Sequence, residues 1–405
     1  VIIMKIYFLT MNIYGMGGTV RTVLNTANHL VDQGYNIEII SLFKRQRKEF
    51  FFIDPRIKIT VLHDVTTWNK EGKNIKVRFG NFLLSKKTKL IHRDEEAIHF
   101  FSLMSDIKLY TFIKTIKNGV LITTRPSFNL FAAKYANKGV VLVGQEHLNF
   151  SIYPKGMQNS IMKYYPKLDY LLTLTDDDTE DYKNIFLDSN LTVKKITNSI
   201  PDIEPIKSPL IDKTIIAAGR LAEQKGFDLL IKSFSKVVEK HPDWILKIYG
   251  IGSEKNNLQD IILKEGLYNN VFLMGATNNI QKELARSSIY VLSSRFEGFG
   301  MVIVEAMQCG VPVVSFDCPK GPSEIIKSGI DGILVENGNI EKLANSINYL
   351  IDNPSIRLQM GEQAFLNVDR YSTRNIGNKW EGLFADIEKY HKRDNSTEWS
   401  ATTSS

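Results

Sequence analysis

The sequence predicts an α/β protein built from two doubly wound parallel-sheet domains in series. Short apolar runs alternate with amphipathic helical stretches almost from end to end, the grammar of βαβ units. Several runs, such as Val140-Val141-Leu142-Val143, are apolar without interruption, as strands covered on both faces are. The length, 405 residues, suits two domains of ordinary size.

In the first half, strands are expected at Lys5–Asn12, Tyr35–Phe43, Ile57–Asp64, Gly119–Arg125, Val140–His147, Tyr170–Thr175 and Lys194–Ile200. Between the first two, Val20, Val23, Leu24, Ala27 and Val31 form one helical stripe, and Gly34 ends it. Pro201, Pro205 and Pro209 then interrupt the periodicity across 198–212, which reads as an interdomain linker. The first domain is therefore placed at 1–201 and the second at 202–372. Strands of the second series are expected at Thr214–Gly219, Trp244–Tyr249, Asn270–Met274, Ile289–Ser293, Val311–Phe316 and Gly332–Val335. Helical stretches near Glu341–Ile351, Ser355–Val368 and Thr373–Lys392 follow, and the polar tail 393–405 is expected to be disordered. Two such domains leave a cleft between the carboxyl edges of their sheets.

Composition narrows the function classes. With 43% hydrophobic residues the chain is neither disordered nor collagenous. Its two cysteines, Cys309 and Cys318, cannot build a zinc site or a disulfide framework and read as small core residues in a reducing compartment. No apolar run is long enough for a membrane helix. The apolar start, Val1–Thr10, lacks a basic n-region and reads as a strand. A soluble, cytosolic protein is expected. The formal charge of +7 is local: 44–117 holds 17 Lys and Arg against 8 Asp and Glu, leaving 34 against 36 elsewhere. Lys44-Arg45-Gln46-Arg47-Lys48 precedes Phe50-Phe51-Phe52, and Lys73–Lys89 interleaves Phe79, Phe82, Leu83 and Leu84. That pattern suits an anionic membrane surface or an anionic polymer, and equally a solvated face whose aromatics are core. No nucleic-acid motif accompanies it.

Four motifs can carry chemistry. Gly15-Met16-Gly17-Gly18-Thr19 follows the first strand and opens a helix, offering free N–H groups to an anion or simply a tight turn. Val20 breaks the dinucleotide fingerprint, and Glu38 lies inside strand two instead of at its end, which disfavours a dehydrogenase. Arg220 and Lys225 leave a strand tip and suit a diphosphate, or are solvated surface. In Ser294-Arg295-Phe296-Glu297-Gly298-Phe299-Gly300-Met301-Val302-Ile303-Val304-Glu305, free amides at Phe299–Val302 fit a phosphate. The carboxylates of Glu297 and Glu305 fit sugar and ribose hydroxyls there, or serve the structure, as in helix capping. His147, at a strand tip, can meet a substrate hydroxyl or be a satisfied structural histidine.

Together these residues resemble the retaining family 4 glycosyltransferases of the two-Rossmann-domain (GT-B) type, over roughly Lys5 to Tyr390. The family's E-x7-E signature matches Glu297 and Glu305, its phosphate-binding pair matches Arg220 and Lys225, its Gly-Gly loop matches Gly17 and Gly18, and its active-site histidine matches His147. Cys318-Pro319-Lys320-Gly321-Pro322-Ser323-Glu324 resembles members that build bacterial cell-wall, capsular and teichoic-type polysaccharides. The resemblance implies transfer of a hexose, with retention, from a nucleotide-sugar, expected to be UDP-linked. The acceptor would be a glycan, a lipid-linked sugar or a teichoic-type anionic polymer. Arg220 and Lys225 would neutralise the diphosphate. Glu297, with the amides of Phe299, Gly300, Met301 and Val302, would hold sugar and phosphate. Glu305 would bind ribose, Ala276 or Thr277 would meet the base, and His147 would approach the sugar from the first domain. No cofactor and no metal is expected, since no suitable D-x-D motif is present. Helix Thr373–Lys392 would cross back onto the first domain. A non-hydrolysing UDP-sugar epimerase on the same scaffold is the alternative enzyme, and a non-catalytic polysaccharide-binding protein the alternative class.

Overall fold

The computed structural model describes residues 4–67, 75–200 and 206–401. Two units divide the chain: Val1–Ser199 with Thr373–Ser405, and Ile200–Ser372. The first runs β1 (Lys5–Thr10), α1 (Gly18–Asp32), β2 (Asn36–Lys44), β3 (Lys58–Asp64), α2 (Ile75–Ser85), α3 (Leu103–Thr115), β4 (Gly119–Thr123) and α4 (Pro126–Tyr135). It continues with β5 (Val140–Gln145), α5 (Lys155–Tyr164), β6 (Tyr170–Thr173), α6 (Asp176–Ile185) and β7 (Thr192–Lys195). Its seven strands lie in the order β3-β2-β1-β4-β5-β6-β7, and neighbours pair in parallel, Phe8 opposite both Ile39 and Ile122. The order reverses between β1 and β4, which opens a crevice at their carboxyl ends.

The second unit repeats the plan: β8 (Thr214–Ala218), α7 (Phe227–Val238), β9 (Ile245–Tyr249), α8 (Lys255–Lys264), β10 (Val271–Gly275), α9 (Ile280–Leu284) and β11 (Ile289–Leu292). Then come α10 (Met301–Gln308), β12 (Val313–Asp317), α11 (Pro322–Ile325), β13 (Gly332–Glu336), α12 (Ile340–Asp352) and α13 (Pro354–Asn367). The sheet order β10-β9-β8-β11-β12-β13 puts its reversal between β8 and β11. Continuous apolar strands are buried here as expected; β8 and β11 are buried at every residue. The fold is GT-B-like, two parallel-sheet α/β units in one chain.

The last helix, α14 (Thr373–Ala401), belongs to the first unit. Ile376, Trp380, Leu383, Phe384 and Ile387 join the core formed by β1, β2 and α1. Trp380 meets Phe8 edge-on at 6.1 Å. Each such burial stabilises by about 1.5–3 kcal/mol.

Several expectations shift. Helix α14 continues to Ala401, past the Lys392 end read from polarity, and 402–405 lie outside the described residues, as do 201–205 of the linker and 68–74 of the basic segment. Strand β7 occupies Thr192–Lys195 instead of Lys194–Ile200. Ile196 and Ile200 are buried all the same; Ile196 packs into the core shared with α14, so its apolar character reflects that contact and not a ladder position. Glu38 bridges three strands, accepting from Lys5 at 2.6 Å, Lys58 at 3.1 Å and Thr60 at 2.5 Å. Burial opposes its ionisation, but Lys5, Thr60 and Lys58 outweigh it and hold the carboxyl low. Both cysteines are buried and free. The basic segment is mixed: Phe52, Phe79 and Phe82 are exposed, whereas Leu83 is buried. Arg45 lies over Phe100 at 3.8 Å and Lys44 over Tyr14 at 4.8 Å.

Candidate functional site

In the second unit, the residues after β8 and those after β11 meet at the reversal of strand order. Ala222 leads into a single 3-10 turn, Glu223–Lys225, and Gly226 ends it with φ of 60°. A Cβ on Gly226 would lie 2.0 Å from the Ser293 carbonyl oxygen, so only glycine permits this approach. Hydrogen bonds then stitch the loops, among them one from the Arg295 guanidinium to Glu223 O at 2.6 Å. Arg295 N donates to Gln224 O (2.8 Å), Gln224 Nε2 to Phe296 O (3.0 Å), Ser293 Oγ to Lys225 O (2.9 Å), and the Arg295 guanidinium forks onto Asp228 (2.9 and 2.8 Å).

That stitching delivers two predicted residues to one point. Lys225 Nζ lies 2.6 Å from Glu297 Oε1, and Ser294 Oγ donates to the same oxygen at 2.6 Å. Glu297 is 5% exposed, and these two donors satisfy its buried oxygen. The Gly321 backbone closes the other side, at φ of 149°. A Cβ there would fall 2.7 Å from Phe299 O and 3.3 Å from Glu297 Cβ, so the Gly-Pro-Ser-Glu segment backs directly onto the Glu297 loop.

Gly300 precedes α10, which has no side-chain cap and no acidic residue in its first turn. An uncapped helix start is a ready anion cradle. Met301 and Val302 are half-buried there, while the Phe299 ring is buried against Tyr371 at 5.4 Å; only its backbone can serve a ligand. Glu305 is buried within α10. Tyr290 on β11 has its hydroxyl pushed well up by burial, with the carboxylates of Glu297 and Glu305 adding to it. Burial and Glu305 raise Cys309 to about 12. Arg220 is exposed just past β8. Ala276 is exposed after β10, and the Thr277 hydroxyl accepts from Asn279 N at 3.1 Å, holding that turn.

In the first unit, Gly17 is the residue before α1, again with no side-chain cap and no acid in the first turn. A Cβ on Gly17 or Gly18 would meet nothing within 4 Å, and neither has positive φ. The unit's own structure does not demand glycine at either place. His147 follows β5 and is half-buried. Its Nε2 is sealed from solvent and has no hydrogen-bond partner among the described residues, and burial, aided by Arg125, pushes its pKa down to about 4. Two supports were not read from the sequence. Ser294 carries a local signal, a hydroxyl three residues before Glu297; Arg295 with Asp228 carries none.

Residues 201–366 match the sequence profile of the family described as glycosyl transferases group 1. The poly(ribitol-phosphate) alpha-N-acetylglucosaminyltransferase of Staphylococcus aureus is 30% identical over 353 residues, 84% of this chain and 69% of that protein. This chain belongs to the group 1 glycosyltransferases. An exopolysaccharide phosphotransferase of Streptomyces coelicolor is 32% identical over 388 residues, 95% of this glycosyltransferase, which spans only 41% of that relative's length. In structure, it is similar to an S. aureus TarM variant in complex with fondaparinux, alpha-GlcNAc-glycerol and UDP. The TM-score is 0.76 at 21% identity, over 94% of this chain and 99% of that one. Among the described residues of this glycosyltransferase, no helix is long and apolar enough to cross a membrane.

Proposed function

We propose that this glycosyltransferase moves a hexose, with retention of configuration, from a UDP-linked nucleotide-sugar to an acceptor of cell-envelope polysaccharide synthesis. One observation carries the reading: Lys225, Ser294 and Glu297 converge within 2.6 Å contacts beside the uncapped start of α10. A cation, a carboxylate and free amides at a strand-order reversal are what a diphosphate joined to a polyhydroxyl sugar requires. In this reading Lys225 and Arg220 take up charge as the nucleotide leaves, Glu297 orients the sugar, and Glu305 meets the ribose. Ala276 or Thr277 lies by the base, and the free Nε2 of His147 meets a sugar hydroxyl. Gly17 and Gly18, which the first unit does not need as glycine, leave room for close approach of the substrate. No protein group is asked to act as a nucleophile, and no metal is invoked.

A relative acting on poly(ribitol phosphate) supports a polymer with phosphodiester repeats as acceptor. The basic segment with Lys44, Arg45, Arg47 and Lys48 would meet such a polymer, or an anionic membrane that carries the acceptor. Salt-sensitive co-sedimentation with anionic vesicles separates the two.

The direct test is nucleotide release from a panel of nucleotide-sugars. Lys225→Ala and Glu297→Ala should each lower kcat/KM by about 100-fold or more, with the two parallel-sheet units still folded by circular dichroism. Wild-type turnover in either folded variant would remove the assignment.

A further inference from the structure

Glu146, the first residue past β5, has no part in the chemistry above, yet its carboxylate accepts three side-chain hydrogen bonds. It is 2% exposed. Its Oε1 accepts from Asn129 Nδ2 at 3.0 Å and from the Tyr165 hydroxyl, and its Oε2 accepts from the Tyr153 hydroxyl at 2.6 Å. Asn129 is itself fixed by Thr123, whose hydroxyl donates to Asn129 Oδ1 at 2.5 Å. A sealed carboxylate is costly, and an apolar residue of similar volume would hold the core at less cost. Stability alone does not account for it.

Geometry does. Tyr153 lies at the far end of the loop that Glu146 begins, so one carboxylate clamps both ends of 146–153. Between the ends, Asn149 Oδ1 accepts from Ser151 N at 2.8 Å, and Gln158 Nε2 donates to Tyr153 O at 2.9 Å and Phe150 O at 3.3 Å. The Glu146 N–H is bonded to Leu172 O at 2.9 Å. The loop is therefore rigid, and its first passenger is His147, the imidazole with an unpartnered Nε2.

We propose that Glu146 is a positioning residue for His147: the clamp to Asn129, Tyr165 and Tyr153 fixes the peptide that carries the imidazole, so that Nε2 is held ready for a sugar hydroxyl. The role rests on the reading of His147 as a donor-sugar contact. The titratable groups around Glu146 are Tyr153, Tyr165, Tyr182 and Asp178, and Arg125 faces His147. Burial, with Asp178 adding to it, raises Glu146 to about 7 against its three donors.

The test uses the full chain with 13C-labelled histidine, the His147 signal being assigned by its loss in His147→Gln. Glu146→Ala should lower kcat by ~10–100-fold with little change in KM for the donor, and the His147 titration should move up towards an ordinary imidazole as the loop opens. Glu146→Gln, which keeps the shape and one acceptor oxygen and can donate to the Tyr153 hydroxyl in place of accepting from it, should restore both. Tyr153→Phe should fall between. If Glu146→Ala does not fold, Glu146→Gln and Tyr153→Phe decide through the same titration. An unmoved His147 titration in folded Glu146→Ala or Tyr153→Phe overturns the proposal, whatever the activity. If the wild-type chain releases nucleotide from no donor, the functional reading fails while the titration still decides the clamp.

Discussion

At the scale of single residues, the ammonium of Lys225 is already occupied: Glu297 holds it at 2.6 Å, with the carboxylate 5% exposed. On the proposed reading, an arriving diphosphate would have to compete with that carboxylate, and sugar hydroxyls taking over Glu297 would release the cation. The pair is also structural, since among the described residues Lys225 and Ser294 are the two donors to the buried Glu297 oxygen, and removing Lys225 leaves Ser294 alone. Lys225→Met and Glu297→Gln should each destabilise, but the double variant should lose less than their sum by about 1–3 kcal/mol. Urea unfolding of the four proteins measures it, and strict additivity would dissolve the coupling. Glu146 gives a second expectation, of defined sign. Its carboxyl sits at about 7, above the ordinary 4.5, because burial favours the neutral form. Its contribution to stability is thus complete below 4.5 and is lost as pH rises through 7. Glu146→Gln should therefore gain on wild type between pH 5 and pH 8. His63, pushed down to about 4 by burial and Lys108, has the opposite slope but is common to both proteins and cancels. Parallel stability curves would contradict the expected difference.

Helices, strands and the loops between them explain why parts of the site were legible in the sequence. Strands β8 and β11 are legible because strands buried on both faces must be apolar throughout. The spacing of Glu297 and Glu305 is legible because both lie on one loop-to-helix stretch. The contact between Lys225 and Glu297 spans 72 residues and depends on which strands flank the reversal, which periodicity does not encode. Glu146 was passed over for a related reason: its partners come from α4, a loop and a 3-10 turn, and no spacing announces them. The glycines separate by the same logic. Gly226→Ala must place a Cβ 2.0 Å from Ser293 O at φ of 60°, and should cost about 2 kcal/mol or more and abolish turnover. Gly18→Ala meets nothing within 4 Å; it should keep the melting temperature, yet weaken substrate binding in the same assay. Equal effects at both positions would mean that Gly18 serves the fold.

On the scale of the whole molecule, α14 decides the integrity of the first unit. Trp380, Leu383, Phe384 and Ile387 are each no more than 2% exposed, in a core shared with β1. A chain ending at Ser372 should lose protection of residues 4–199 in limited proteolysis, while 206–372 stay resistant. Trp380→Ala should cost about 3–5 kcal/mol. Resistance of both regions in the shortened chain would show that α14 is dispensable. The local excess of basic charge lies in the unit that α14 completes, so loss of the helix should also weaken the proposed salt-dependent binding of an anionic polymer.

The route of the chain also orders its birth. Ile200–Ser372 is contiguous, whereas the other unit is closed by residues from Thr373 onward. During synthesis the later unit has every residue it needs while the earlier one still lacks its final core helix. The half that emerges first from the ribosome is thus finished last, with the Phe8 and Leu24 surface bare until translation reaches Trp380. That waiting interval is where chaperones would find this protein.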